Sequence, residues 1–250
     1  MSASYRYGDV FFSSIGVGSA RSADCLVPMV MSALDPASVV DIGCGRGAWL
    51  RRFFAAGTNG IGVDGDYVRP ESLLIPADRF RPLDITAEFD LGQRFDLAVC
   101  LEVGEHIPPD ASGQLVANLV RHAPVVLFSA AVPGQGGENH INERPLDFWR
   151  GLFGAHGFRA LDAFRPRLAG RTEVEPWYRY NVLLYVREDR VSELPHWVRA
   201  TELKDGEPVP DLSSPLFRLR KHVLLRLPRP LVTTMARTKH RLRTLGASLS

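Results

Sequence analysis

The 250-residue sequence predicts a single α/β domain built on a doubly wound, mostly parallel sheet, with appendages at both ends. Two observations carry that reading. Around residues 38–56 an apolar strand (Val39, Val40, Ile42) meets Gly43, Gly45 and Gly47, and a segment with helical spacing follows. Downstream, short apolar runs alternate with helical patterns, and four of the runs end in an acid: Asp41, Asp64, Asp84 and Glu102.

Taken in order, residues 1–18 are rich in aromatics and glycine (Tyr5, Tyr7, Phe11, Phe12, Gly16, Gly18) and read as a strap on the core or a flap over a pocket. Residues 19–34 place Leu26, Met29, Val30, Ala33 and Leu34 at helical spacing. Pro28 suggests a kink or a later start, and Asp35-Pro36 a stop. Strands are expected at 38–42, 61–64, 79–85, 95–101 and 125–128. Asp110 is the expected cap of a helix carrying Leu115, Leu119 and Val120 inward. A glycine-rich loop at 133–142 precedes a helix near 145–155 and strands near 158–164 and 180–186. Residues 188–215, with Pro195, Pro208, Pro210 and Pro215, read as a linker or surface excursion. The chain divides as 1–37 (N-terminal helical strap or lid), 38–187 (catalytic domain) and 188–250 (linker and basic amphipathic tail).

Charge is unevenly spread. Residues 216–250 hold nine Lys or Arg and no Asp or Glu, which leaves the first 215 residues with 21 basic against 28 acidic side chains. In the tail, Leu216, Phe217, Leu219, Val223, Leu224 and Leu227 interleave with Arg218, Arg220, Lys221 and Arg226 as an amphipathic helix, broken at Pro228-Arg229-Pro230. A second basic segment spans 236–245. No apolar run approaches the roughly 18 residues of a membrane span. No basic region leads into a long apolar stretch at the N-terminus, so a secretory signal is not expected and the cytoplasm is the expected compartment. Cys25, Cys44 and Cys100 are too widely separated for a C-x-x-C and read as small core residues in a reducing compartment.

The glycine turn alone does not choose a ligand, because Gly43, Gly45 and Ala48 also satisfy the dinucleotide pattern G-x-G-x-x-G/A. Asp64, at the end of the second strand, suits a ribose diol with either cofactor class. Asp41 discriminates: a carboxylate facing the glycine turn repels a pyrophosphate and welcomes a cationic amino-acid group.

Val-Asp-Ile-Gly-Cys-Gly-Arg-Gly, Gly-Val-Asp, Leu-Asp-Ile and Phe-Asp-Leu-Ala-Val-Cys-Leu-Glu-Val-Gly-Glu-His-Ile, in that order, resemble the motifs of the class I S-adenosylmethionine-dependent methyltransferases over residues 38–187. The resemblance implies a Rossmann-like seven-stranded sheet whose last strand is antiparallel. It implies that Asp41, Gly43, Gly45 and Gly47 lie against the methionine portion of S-adenosylmethionine and that Asp64 meets the ribose. Asp84 with Ile85 would border the adenine, and Leu101 with Glu102 the methyl-bearing end.

In-line attack on a sulfonium methyl has an activated, neutral leaving group, so the protein aligns, excludes water and removes a proton. The candidate bases are His106, Glu105 and His140. Glu102, Glu105 and His106 are spaced i, i+3, i+4, so a helical turn there would put all three on one face, opposite the loop carrying His140. Two carboxylates and two imidazoles form a mixed O/N donor set for a divalent metal. The Glu-x-x-Glu-His pattern is similar to that of ubiquinone-pathway O-methyltransferases and small-RNA 2′-O-methyltransferases, where it implies Mg²⁺ or a related ion. The loop at 133–145 followed by Leu-Asp-Phe-Trp resembles the substrate-side segment of bacterial sugar and secondary-metabolite methyltransferases, and Phe148 and Trp149 read as helix-packing residues. A small-molecule or glycan acceptor is therefore expected, methylated on a hydroxyl.

The net-negative body argues against a nucleic-acid acceptor. The tail fits peripheral contact with the inner face of an anionic membrane, or a helix docked on the core. An NAD(P)-dependent oxidoreductase and a non-catalytic methyltransferase-like scaffold are the alternative functions. Asp41 and the lack of a Tyr-x-x-x-Lys set speak against the first, and the intact acids and glycines against the second.

Overall fold

Val39 and Val40 are both fully buried, one in each of the two apolar clusters that flank the sheet. A central parallel strand needs that, because helices cover both of its faces. In the computed structural model, which describes residues 8–247, β1 (Ser38–Ile42) lies inside a seven-stranded sheet. The others are β2 (Asn59–Asp64), β3 (Phe80–Pro82), β4 (Leu97–Leu101), β5 (Val125–Ser129), β6 (Phe158–Leu161) and β7 (Leu183–Arg187). Their spatial order is β3-β2-β1-β4-β5-β7-β6, and β7 is antiparallel to both of its neighbours while the other pairings are parallel. Strand order reverses between β1 and β4, so the loops leaving these strands diverge and open a crevice at the carboxyl edge.

The helices are α1 (Asp9–Leu34), α2 (Ala48–Ala55), α3 (Ser112–His122), α4 (Leu146–Gly154), α5 (Arg165–Leu168), α6 (Pro176–Asn181), α7 (His196–Arg199), α8 (Pro215–Leu224) and α9 (Arg229–Ala247). Leu26 of α1, Phe53 of α2 and Tyr178 of α6 pack on one face of the sheet. Leu115 of α3 and Trp149 and Phe153 of α4 pack on the other. Trp149 is fully buried with its ring 4.9 Å from Phe128, a packing residue as its sequence context suggested.

Several elements differ from their sequence-based expectation, each for a local reason. Tyr5 and Tyr7 lie outside the described residues. The first helix begins at Asp9, ten residues early, and runs through Pro28. Pro28 sits on the exposed side, where water can satisfy the carbonyl it deprives of a partner. The third strand is Phe80–Pro82 rather than 79–85: Pro82 has no N–H to extend a ladder, and the Asp84 carboxylate folds the chain into a turn by accepting from the Thr86 N–H at 2.9 Å and its Oγ1 at 2.6 Å. β4, β6 and β7 are shorter than expected too, and Tyr180 belongs to α6, not to β7. Asp110 sits inside a short 3₁₀ turn (Pro109–Ala111) and does not cap α3.

Residues 188–214 run back along the sheet edge. The Thr201 and Ala160 carbonyls accept from Asp162 and Leu203 at 2.9 Å. Fully buried Arg165 is gripped by both Asp162 oxygens at 2.8 Å and donates to the Tyr180 and Pro210 carbonyls at 3.1 Å, tying this segment to the domain. Beyond it, α9 packs against α1, and α8 lies over the glycine-rich loop.

Candidate active site

The crevice floor is the glycine turn. Gly43 has φ +82°, and a Cβ there would come within 2.4 Å of Val103, so only glycine lets the chain leave β1 and pass under the 102–106 turn. Its N–H donates to the Val63 carbonyl at 2.8 Å, which locks the turn to β2. Gly47, in the left-handed region, caps α2, whose first N–H groups open toward the turn.

Two acids lie behind this floor. Asp41 is 3 % exposed, and its Oδ2 has no hydrogen-bond partner. Burial, with the nearby Asp64 charge adding, pushes its carboxyl up to about 8. An unpaired buried carboxyl is costly unless a ligand supplies the missing positive charge. Asp64 accepts from the Gly45 N–H at 2.6 Å, the Gly65 N–H at 2.7 Å and the Tyr67 hydroxyl. Burial raises its carboxyl, and these three bonds partly offset the rise. A carboxylate has about four acceptor positions, so one remains for a ligand hydroxyl.

Asp84 and Ile85 stand apart from this pair. Asp84 is exposed and engaged with Thr86, and Ile85 is partly buried with its carbonyl accepting from Asn118 at 3.2 Å.

Leu101 ends β4, 8 % exposed. Glu102 follows at φ +57°, a conformation costly for a residue with a side chain, about 1–3 kcal/mol. It is held there by its N–H donating to the Ser129 carbonyl at 2.9 Å and by Gln135 Nε2 donating to Oε2 at 2.6 Å. This one backbone angle prevents the expected helical turn, so Glu102, Glu105 and His106 do not share a helix face. The chain instead folds tightly, and the 137–142 segment clips onto it: the Ile141 and Asn142 N–H groups donate to the Glu105 carbonyl at 2.9 and 3.0 Å. Buried Asn142 adds bonds to the Gly104 carbonyl and Ser112 Oγ, both at 2.9 Å.

Glu105, His106 and His140 converge, with donor atoms all within 4.8 Å of one another; Glu102 is not part of that set. Glu105 is 1 % exposed and neither of its carboxylate oxygens has a hydrogen-bond partner. Burial first, and the Glu102 charge second, raise its carboxyl far above the usual range. Burial, then His140, drives the His106 imidazole well below its usual value, keeping it neutral. The two imidazoles meet edge to face at 4.9 Å.

His140 Nδ1 lies 2.9 Å from Glu143 Oε1. Glu143 also accepts from the Gly136 N–H at 2.7 Å and the Gly134 N–H at 2.8 Å. Desolvation works to raise its carboxyl, but these bonds and the His140 charge outweigh it and hold Glu143 below the usual carboxylate range. An ionised Glu143 fixes the proton on Nδ1, leaving Nε2 of His140 as the basic nitrogen. That nitrogen lies where a Cβ on Gly137 would be, 2.0 Å away, so residue 137 has no room for a side chain.

The walls come from both ends of the chain. Phe12 of α1 lies against Gly45, and Phe11 stands edge-on to His106 at 6.2 Å. From the tail, Arg220 donates to the Gln135 carbonyl at 2.7 Å, Leu224 and Val232 pack on Gly136, and Arg237 pairs with Glu138 at 3.2 Å. The sequence alone does not single out Tyr67, Gln135, Asn142 or Glu143, and it marks Arg220 only as part of the basic tail. Glu143, three residues after His140, was the most accessible of these from spacing.

A doubly wound sheet of order 3-2-1-4-5-7-6, with a glycine turn after β1, acids in the last residues of β1 and β2 and another just past β4, defines a Rossmann-like methyltransferase fold. Residues 27–161 match the family model described as a methyltransferase domain, and the chain belongs to that family. No curated protein matches it. Among solved structures it is similar to magnesium protoporphyrin IX methyltransferase from Synechocystis with S-adenosylmethionine bound (21 % identity over 74 % of this chain and 86 % of that one, TM-score 0.50). It is also similar to the sugar N-methyltransferase KedS8 from a Streptoalloteichus species (17 %, 75 % and 98 %, TM-score 0.54). A third is CalS10, an amino pentose methyltransferase from Micromonospora echinaspora with S-adenosylmethionine bound (16 %, 74 % and 99 %, TM-score 0.51). The chain is thus a methyltransferase by family, and the oxidoreductase alternative falls away.

Proposed function

We propose that this enzyme methylates a hydroxyl of a sugar or secondary metabolite, with His140 as general base. The observation that carries the reading is the His140–Glu143 pair: a largely buried imidazole whose Nδ1 lies 2.9 Å from the Glu143 carboxylate, on the loop that follows β5. In the reaction, the acceptor oxygen attacks the sulfonium methyl in line. The carbon–sulfur bond breaks to leave neutral S-adenosylhomocysteine, and the hydroxyl proton passes to His140 Nε2. Glu143 then stabilises the imidazolium. Asp41 is assigned to the ammonium of the methionine moiety, because its buried oxygen lacks a partner and the site is acidic. The glycines at 43, 45 and 47 admit the methionine chain, Asp64 takes a ribose hydroxyl, and Asp84 with Ile85 edges the adenine. Leu101 and Glu102 flank the methyl. The sugar character of two structural neighbours' acceptors supports the acceptor class.

The test is turnover with a panel of sugars and phenols. His140→Ala should lower kcat at least about a hundredfold while affinity for S-adenosylhomocysteine holds. A loss under about threefold would reduce His140 to a structural residue.

A second reading has its own support in the convergence of Glu105, His106 and His140 and in the two unpartnered oxygens of Glu105. These three would hold a divalent ion, which would lower the pKa of an acceptor hydroxyl. Stripping with EDTA and restoring Mg²⁺, Mn²⁺ or Fe²⁺ decides it: unchanged turnover throughout rules the metal out.

A further inference from the structure

The tail helices have two apolar faces and use one of them. The Phe217 ring lies tilted against Tyr180 at 5.2 Å, and Leu224 and Val232 pack on the loop at Gly136, so these residues define the inner face of α8 and α9. The opposite side is not bare of apolar groups. On α8, Leu216, Leu219 and Val223 recur at i, i+3 and i+7 and are 76, 61 and 50 % exposed. On α9, Leu231, Met235 and Leu242 recur at i, i+4 and i+11 and are 46, 49 and 64 % exposed. Exposed large apolar side chains elsewhere among the described residues are few and scattered, so this is a patch and not background.

Charge identifies what covers the patch. Arg218, Arg226 and Arg229 are exposed beside the apolar stripes, and residues 216–250 contain nine basic and no acidic side chains. A second copy of this chain would bring like charges together across the stripe. A nucleic acid would satisfy the arginines and leave the leucines in water. An anionic lipid surface satisfies both, with the leucines in the acyl boundary and the guanidinium groups at the headgroups. We propose that α8 and α9 dock this enzyme on anionic membrane surfaces. The inner face of α8 lies on the glycine-rich loop through Arg220 and Leu224, so docking would place that loop on the membrane side of the molecule. Among the described residues no helix is long and apolar enough to cross the membrane, and the contact proposed is an interfacial one.

The experiment is co-sedimentation of the full chain with phosphatidylcholine vesicles, with and without about one-third phosphatidylglycerol. The expected result is pelleting with the anionic vesicles only, weakening as salt rises. Arg218→Ser with Arg226→Ser should weaken it about thirtyfold, at roughly fivefold per basic residue. Leu219→Ser with Leu231→Ser should weaken it at least about tenfold. Calorimetry with S-adenosylhomocysteine on each double variant shows that the fold and cofactor site stand, so the result is independent of the acceptor assignment. Equal pelleting with both vesicle types would overturn the proposal, as would no pelleting. So would self-association in lipid-free solution that the leucine variant abolishes, or equally tight RNA binding that ignores that variant.

Discussion

Asp41 offers the sharpest quantitative test of the cofactor assignment. In the free enzyme its buried carboxyl titrates at about 8, so below that pH it is protonated. An ammonium brought against it by S-adenosylmethionine would return it to the ordinary carboxylate range. The free enzyme therefore holds a proton that the complex does not, and binding should release close to one proton at pH about 6.5. Affinity should rise nearly tenfold per pH unit over that range. The cofactor's own α-amino group loses its proton near 7.7–8.0, which sets the opposite limb. Together the two titrations give a maximum near pH 8 and a gain of about twentyfold from pH 6 to that maximum. Calorimetry in buffers of different ionisation enthalpy reads the proton count directly. Asp41→Asn should flatten the acid limb and weaken binding at pH 8 by about ten- to a hundredfold, the worth of one charge-assisted hydrogen bond. Proton uptake on binding, or affinity that does not change between pH 6 and 8, would refute the pairing. The same ionisation bears on the unliganded fold. Because Asp41 is raised above its unfolded value, its contribution is greatest at acid pH and is lost as pH climbs toward about 8.

Gly43→Ala should destabilise the fold by about 2–4 kcal/mol, from the left-handed backbone and the 2.4 Å approach to Val103. Pairing it with Val103→Ala in thermal melts should recover the steric share only; full recovery would mean the backbone angle costs nothing. Asp162→Asn leaves the buried Arg165 guanidinium without its bidentate carboxylate and should cost about 3–5 kcal/mol in urea unfolding. A loss under about 1 kcal/mol would show that the two carbonyls alone hold the arginine.

How much of this was legible depended on range. The strand, glycine turn and first catalytic-domain helix were readable because each is a local pattern: the apolar run at Val39, Val40 and Ile42, backbone freedom at Gly43, and helical spacing from Ala48. The sheet order followed from family resemblance and not from periodicity, which carries no information on strand neighbours. The Glu102–His106 run misled because one left-handed residue cancels an i, i+3, i+4 argument, and the bonds that hold Glu102 there come from Ser129 and Gln135, far along the chain. Asp84 was readable as an acid but not as a turn former until its bonds to Thr86 were seen. The docking of the tail on the glycine loop was hidden for a related reason. In sequence Gly136 is one glycine of the 133–142 loop, and its role in admitting Leu224 and Val232 is visible only in three dimensions.

Hydroxyl methylation is tested most directly by product NMR with S-adenosylmethionine labelled by ¹³C in its methyl group. The expected result is a single new O–CH₃ carbon on a sugar or phenol acceptor, absent with His140→Ala. A new N–CH₃ or C–CH₃ carbon, or undiminished O-methylation by His140→Ala, would contradict it.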